Sequence, residues 1–247
     1  MFEKEINAYE TLLKVYRQRV TDRMAVKDLR EYNEIRFSAH SCAIEGNSFS
    51  VNDTRELKEK GLGIIPQGKT LFEAFEMLDH FRAYEFLFNQ PEAPLTENLL
   101  KETHRILMEH TLSYRYPDAK PGTYTDTDMC AGDTVFGEHE QLISRVPQLL
   151  LSTQRALEEG KIHPMILAAR FHGFYEYLHP FRDGNGRIGR LFSNFILHKA
   201  GHPIVIIAKE KKEEYINALR YIRTERTDEH LIAFFFQTAM ERMQQEM

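Results

Sequence analysis

The sequence predicts an all-α protein, a bundle of helices carrying one small β-hairpin. Three observations lead there. Apolar residues recur at three- and four-residue spacings through most of the chain, the signature of helices with one buried face. Runs of β-branched residues are scarce: Ile204-Val-Ile-Ile207 is short, and the only other extended candidate lies within 120–136. The 247 residues, 42% hydrophobic and 28% charged, are enough for a sizeable core and ordinary for a globular domain.

Taken in order, helical spacing covers 3–20, 30–45, 69–88, 97–110, 138–158, 164–178, 186–200, 209–222 and 228–245. The second stretch must stop at Gly46-Asn47, two residues suited to a left-handed cap. In the fourth, His104 shares a face with Leu100 and Leu107 and reads as a core-edge residue. The sixth opens on Pro164, which suits a first helical turn, so His163 marks helix entry. Its apolar face is Leu167, Phe171, Phe174, Tyr175 and Leu178, and Pro180 stops it. The seventh repeats the pattern with Ile188, Leu191, Phe192, Phe195 and Ile196, ending before Gly201 and Pro203. Ile204–Ile207 reads as a buried connector. The least regular parts are 46–68 and 111–137. The chain divides into an N-terminal helical segment (1–90), a core (91–205) and C-terminal helices (206–247).

The richest stretch lies between the sixth and seventh helices: His179-Pro-Phe-Arg-Asp-Gly-Asn-Gly-Arg-Ile-Gly-Arg190. Each residue type has work to do beside a nucleotide's phosphates. His179 can take a proton near neutral pH. Asp183 supplies hard oxygen for a cation such as Mg²⁺. Gly184-Asn185-Gly186 lets the backbone approach an anion, with N–H groups free to point at it. Arg187 and Arg190, three apart, offer forked donors to phosphate oxygens. The loop opens a helix, whose N-terminus carries unpaired N–H groups and partial positive charge. Gly-Asn-Gly alone would be an ordinary turn; the histidine, carboxylate and two arginines at fixed offsets make it a site.

This run resembles the signature of the Fic (filamentation induced by cAMP) domain, HxFx(D/E)GNGRxxR, with every specified position filled. The resemblance implies a mostly helical domain that transfers AMP from ATP to a protein hydroxyl. Position by position, it implies His179 as the base, Asp183 as holder of Mg²⁺, and Gly184, Asn185 and Gly186 as the phosphate cradle. Arg187 and Arg190 would grip the leaving phosphates, and Phe181 would anchor the loop in the core.

A second element lies far upstream. Ser41 and Glu45 stand four apart on one helical face, just before Gly46. Glu45 is therefore at the negative end of its helix, where a carboxylate is mildly unfavourable unless a cation comes from outside. The stretch is similar to the family's inhibitory pattern, (S/T)xxxE(G/N). That resemblance implies that Glu45 pairs with Arg190 and blocks productive seating of the ATP γ-phosphate. It also leaves open removal of AMP, with the same glutamate positioning a water.

Lys120-Pro-Gly-Thr-Tyr124 opens the stretch read as either a β-hairpin or an irregular loop. The family has a flap there that clamps the target by strand addition. Asp128, Met129, Cys130, Ala131 and Gly132 are the flap residues expected nearest the nucleotide. Thr125 stands where many relatives carry Arg, a departure that bears on target preference. Tyr215 lies in a segment that resembles the family's adenine-side helix, which makes it a nucleoside-contact candidate or a packing aromatic.

Other classes are disfavoured. His172 and His179 are seven apart, but Pro180 breaks the helix and no third ligand stands at zinc spacing. Two cysteines make no disulfide framework, as expected of a reducing cytoplasm. No run reaches a membrane span and the N-terminus has no apolar signal core, so a cytoplasmic location is expected. A formal charge of −5 argues against broad nucleic-acid affinity, and Arg220, Arg223 and Arg226 read as a solvated helix face. The expected partner is a target protein held by the flap; homo-oligomer formation is open, since some relatives regulate the glutamate that way. The competing class is a non-catalytic ATP-sensing interaction protein, which a complete His179, Asp183 and Arg190 set disfavours.

Overall fold

The computed structural model describes residues 2–63, 65–131 and 134–247. Among them lie eleven α-helices and one two-stranded hairpin. The helices are α1 (Glu3–Arg19), α2 (Val26–Ile44), α3 (Val51–Lys60), α4 (Leu71–Phe88), α5 (Glu97–Leu107) and α6 (Leu112–Arg115). After the hairpin β1 (Cys130–Ala131) and β2 (Thr134–Val135) come α7 (His139–Glu159), α8 (Pro164–Leu178), α9 (Asn185–Lys199), α10 (Lys212–Thr224) and α11 (Glu229–Glu246). The expected all-α class and nine long helices are present.

One difference has a local cause, and one open reading is resolved. Helix α3 falls in a stretch read as irregular. Ser50 Oγ accepts from the Asp53 N–H at 3.1 Å, and Asp53 returns the bond to the Ser50 N–H at 2.9 Å. That capping box starts a helix too short for periodicity to announce. Second, the ten residues from Lys120 to Met129 are turns and loop, and only Cys130–Ala131 and Thr134–Val135 pair as strands. The tetrapeptide Ile204–Ile207 is the expected buried connector without regular structure.

Helices α8 and α9 pack against each other at the centre, with the signature loop between them. Around α8 stand α7, α10 and α11; around α9 stand α2, α4 and α5. Both central helices are buried on nearly every face, from Met165 to Leu178 and from Asn185 to Leu197. An apolar cluster runs from Tyr9 through Phe171, Phe192 and Phe195 to Met243, joining all three sequence segments. Burying one such aromatic contributes roughly 1.5–3 kcal/mol, so the centre is stiff enough to hold a loop in register. A smaller cluster (Cys42, Phe49, Leu57, Ala74, Met77 and Phe81) ties α3 to α2 and α4. Helix α4 starts on a second capping box, Thr70 with Glu73.

Candidate functional site

The signature loop is pinned before it can hold anything. Phe181 is fully buried and stacks on His104 at 3.7 Å between ring centroids. His104 is buried too. It contacts the Asp183 carbonyl at 3.0 Å and accepts from the Gly122 N–H at 2.8 Å. It was expected at the core edge; instead it fastens the signature loop to the segment before the hairpin, and burial lowers its pKa to about 4. Asn185 points its side chain inward, accepting from the Phe181 N–H at 2.9 Å and donating to the Phe181 carbonyl at 2.6 Å. Its side chain thus clamps the loop, leaving the backbone to face outward. Gly184 caps the helix at φ +78°, a conformation costly for any residue with a Cβ. The first N–H groups of α9 then point out of the helix without intrahelical partners.

His179 is the C-terminal cap of α8, at φ +48°. Its ring stacks on Phe136, just past the hairpin, at 3.7 Å and 16°. Its Nδ1 lies 3.7 Å from Glu176 Oε2. Asp183 is partly exposed: Oδ1 accepts from the Gly184 N–H at 2.6 Å, and Oδ2 pairs with Arg115 at 3.2 Å. Arg187 is buried between Glu76 at 3.3 Å and Asp183 at 3.5 Å.

The second arginine meets the upstream motif. Arg190 Nε donates to Ser41 Oγ at 3.1 Å, and Nη2 donates to the Ser41 carbonyl at 2.8 Å and to Glu45 Oε1 at 2.7 Å. Helix α2 ends at Ile44, Glu45 is its cap, and Gly46 turns away at φ +106°. Residues 149 and 145 positions apart in sequence are thus brought onto one guanidinium. A Cβ on Gly186 would strike Glu45 Oε1 where it stands, so the glycine leaves the carboxylate room beside Arg190. Burial works against the Arg190 charge, but Glu45 and Tyr215 overcome it and its pKa is raised.

Tyr215 is 1% exposed. Its hydroxyl meets His172 Nε2 at 2.7 Å and Arg190 Nη1 at 3.5 Å. That places it behind Arg190 as a packed strut. Of the expected flap residues, Asp128 bonds the backbone and ring of His139 at 2.9 and 2.8 Å, and Met129 Sδ lies 3.4 Å from Arg182. Cys130 and Ala131 form β1, and Gly132 lies outside the described residues. Thr125 donates its N–H to the Pro180 carbonyl at 2.9 Å, and Gly137 to that of Tyr177 at 2.9 Å, so the hairpin segment is tied to both sides of His179.

Several residues of this site were not foreseen: Glu76, Arg115, Phe136 and Glu176. Glu76 and Asp79 had a signal, since they fall on the apolar face of α4, where charges need partners. Arg223, expected as solvated, lies over Phe136 at 4.5 Å and donates to the Glu176 carbonyl at 2.7 Å. With Arg145, Arg170 and Arg226 it lines a groove of about 1220 Å³ that borders the flap at Val135. Cys42 and Cys130 are both free. No helix is long and apolar enough to cross a membrane among the described residues.

Two side-chain clusters have metal-like composition. In Glu10, His163 and His202, the His163 Nδ1 accepts from the Met165 N–H at 3.2 Å and the His202 Nδ1 meets the Tyr9 hydroxyl at 3.0 Å. A histidine binding metal through Nε2 carries its proton on Nδ1, which would break the His163 helix cap. In Asp79, Glu109 and His110, the Asp79 oxygens are already taken by the His110 N–H and ring at 2.9 and 2.7 Å. For Mg²⁺ the fit is at Asp183: unlike the fully buried Asp79, its carboxylate is partly open, and Oδ2 is held by the exposed Arg115. Mg²⁺ on nucleotides commonly takes one or two carboxylates beside phosphate oxygens.

Fold and site together define a helical domain built around a glycine-flanked loop that opens α9, with His179 at its entrance and the Glu45 carboxylate on Arg190. The chain belongs to the Fic/DOC family, whose profile matches residues 94–197. It is 32% identical to a protein adenylyltransferase Fic of Culex quinquefasciatus over 188 residues, 73% of this chain and 35% of that one. With the Nematostella vectensis protein of the same name it shares 32% identity over 73% of this chain and 41% of the relative. The chain thus spans well under half the length of these curated relatives. Among solved structures, a Fic-domain signaling protein from Bacteroides thetaiotaomicron superposes with a TM-score of 0.81 at 23% identity, covering 99% of this chain and 94% of that one. Fic-1 of C. elegans gives 0.78 at 24% identity, over 98% and 71%. IbpAFic2 covalently tethered to Cdc42 gives 0.58 at 19% identity, over 96% and 70%.

Proposed function

We propose that this chain is a self-inhibited protein adenylyltransferase. The observation that carries the reading is the joint arrangement of a bare-backbone anion loop, His179 at its entrance and Arg190 held by Glu45. Relatives named as adenylyltransferases and a related fold tethered to a protein, Cdc42, support AMP transfer to a protein hydroxyl.

In this reading the α9 N-terminus and the Gly184–Gly186 backbone receive the phosphates of ATP, and Arg187, stiffened by Glu76, lines the loop behind them. Asp183 would hold Mg²⁺, which supplies charge neutralisation on the phosphates; Arg115, itself partly exposed, would release the carboxylate. His179 takes the proton as the target's Ser, Thr or Tyr oxygen bonds to the α-phosphorus. The bond from that phosphorus to the bridging oxygen breaks, and pyrophosphate leaves. Such displacement needs alignment and charge stabilisation more than covalent help. The segment tied by Thr125 and Gly137 to the backbone around His179 would present the target as an added strand.

Glu45 is the brake. While it occupies Arg190 at 2.7 Å, a γ-phosphate cannot. A second reading has one observation in its favour: Glu45 Oε2 makes no hydrogen bond among the described residues, so it is free to position a water for AMP removal. The decisive test incubates wild type, Glu45→Gly and Glu45→Gly/His179→Ala with Mg²⁺ and ATP labelled at the α or γ phosphate. Protein-bound α label that is weak in wild type, strong in Glu45→Gly and absent without His179 is the expected result. γ label would mean phosphoryl transfer, and no label with ATP bound would favour AMP removal or a sensing role.

A further inference from the structure

We infer that Glu176 is a positioning residue for His179, and that it is the near end of a buried polar chain reaching Arg190. The role assigned to it rests on His179 acting as the base proposed above.

Glu176 sits one helical turn before His179 on α8 and is 8% exposed. An acid buried at a helix's C-terminal turn is doubly disfavoured, by desolvation and by the dipole, so something must hold it there. Burial pushes its pKa up, yet its contacts with His179, His172 and Arg190 outweigh burial and hold it below the usual carboxylate range. The groups facing it are His172 and His179 from its own helix, Arg190 from α9, and Tyr215 and Arg223 from α10.

The geometry shows what the carboxylate is for. His179 Nδ1 and Glu176 Oε1 are buried atoms without any hydrogen-bond partner, and Oε2 of the same carboxylate stands 3.7 Å from Nδ1. An unpaired ring nitrogen facing a carboxylate whose nearer oxygen, Oε2, is under 1 Å beyond bonding distance is a complementary pair. Such catalytic contacts often tighten only with substrate bound. Phe136 already fixes the plane of the imidazole by stacking. Glu176 then selects the tautomer: with the proton on Nδ1 toward the carboxylate, Nε2 is left bare to accept one from the target hydroxyl.

The chain continues inward. His172 Nδ1 is buried without a partner on the Glu176 side, while its Nε2 meets Tyr215 at 2.7 Å, and Tyr215 reaches Arg190 at 3.5 Å. His172 is held neutral, its pKa lowered to about 4 by burial. Gly189 is the space this arrangement needs: a Cβ there would lie 2.7 Å from His172 Nδ1 and 2.8 Å from Glu176 Oε1. Between base and proposed brake lie buried polar side chains in sequence, His179, Glu176, His172, Tyr215, Arg190 and Glu45, hydrogen-bonded from His172 onward and unbonded at the Glu176 end.

The test reads the tautomer directly. Ring ¹⁵N shifts of His179, assigned by difference against His179→Ala, should show a proton predominantly on Nδ1 in wild type and a mixed or Nε2-protonated ring in Glu176→Gln. In the Glu45→Gly background, Glu176→Gln should lower kcat for automodification about 10²-fold with KM for ATP within twofold, the size expected of a misdirected base. Glu176→Asp should recover part of it. Should Glu176→Gln not fold, Gly189→Ala, which presses a methyl on the same carboxylate, must move the His179 tautomer the same way. An unchanged tautomer in a folded variant, or a loss confined to KM, overturns the inference. The expected tautomer shift in a protein that transfers no AMP would leave the positioning standing and sink the adenylyltransferase reading instead.

Discussion

Two glutamates flank the signature helices, and their circumstances are opposite. Glu176 is buried and enclosed by histidines, arginines and a tyrosine. Glu45 caps the end of α2, its side chain 37% exposed, and is held by one strong contact at 2.7 Å. The first carboxylate is walled in; the second, which the proposed brake needs to withdraw, is hung at a helix end beside solvent. The partner differs in the same sense. Arg190 is also bonded to Ser41 and Tyr215, so lifting the proposed brake would leave the arginine its other partners.

The largest effect expected on either side of that comparison is the loss of the base. His179→Ala in the Glu45→Gly background should lower α-label transfer by about 10²- to 10⁴-fold, while ATP binding by calorimetry persists. Loss of binding as well would mean that His179 holds the loop rather than serving it. Next is the exposed glutamate: Glu45→Gly should raise labelling about 5- to 150-fold, the range of ordinary coupling between sites. No rise would remove Glu45 from regulation and leave it a helix cap.

Smaller effects sharpen the contrast. Tyr215→Phe strips the hydroxyl shared by His172 and Arg190 and strands a buried nitrogen, at a cost of about 1–3 kcal/mol seen as a lower melting temperature. An unchanged midpoint would show that the buried chain contributes no stability. The smallest effect concerns salt. Raising ionic strength should screen the half-exposed Glu45–Arg190 pair by only about 0.2–1 kcal/mol, giving a modest rise in wild-type labelling and none in Glu45→Gly. Equal response in both would place the salt effect elsewhere.

How far the sequence went can be read off single residues. His179, Asp183, Gly184–Gly186 and Arg190 were legible because they are contiguous and chemically mixed. Ser41 and Glu45 were legible because four-residue spacing puts them on one face. Helix α3 was not, because its only announcement was Ser50 and Asp53. The inward turn of Asn185, the loop-fastening role of His104 and the placing of Tyr215 behind Arg190 had no local signal.

What the sequence by itself determined is the local inventory: helices from periodicity, their ends from proline, glycine and caps, and a loop whose chemistry suits phosphate. These are properties of neighbours within a few residues, where backbone preference and side-chain spacing decide. Only the tertiary structure decided which charges meet, apart from the Glu45–Arg190 pair that the family resemblance implies. Glu76 reaches Arg187, Ser41 and Glu45 reach Arg190, and Tyr215 reaches His172 across 111, 149, 145 and 43 positions of chain. Burial forces those pairings, because a charge withdrawn from water at the centre of the bundle must find its partner on whichever helix packs against it.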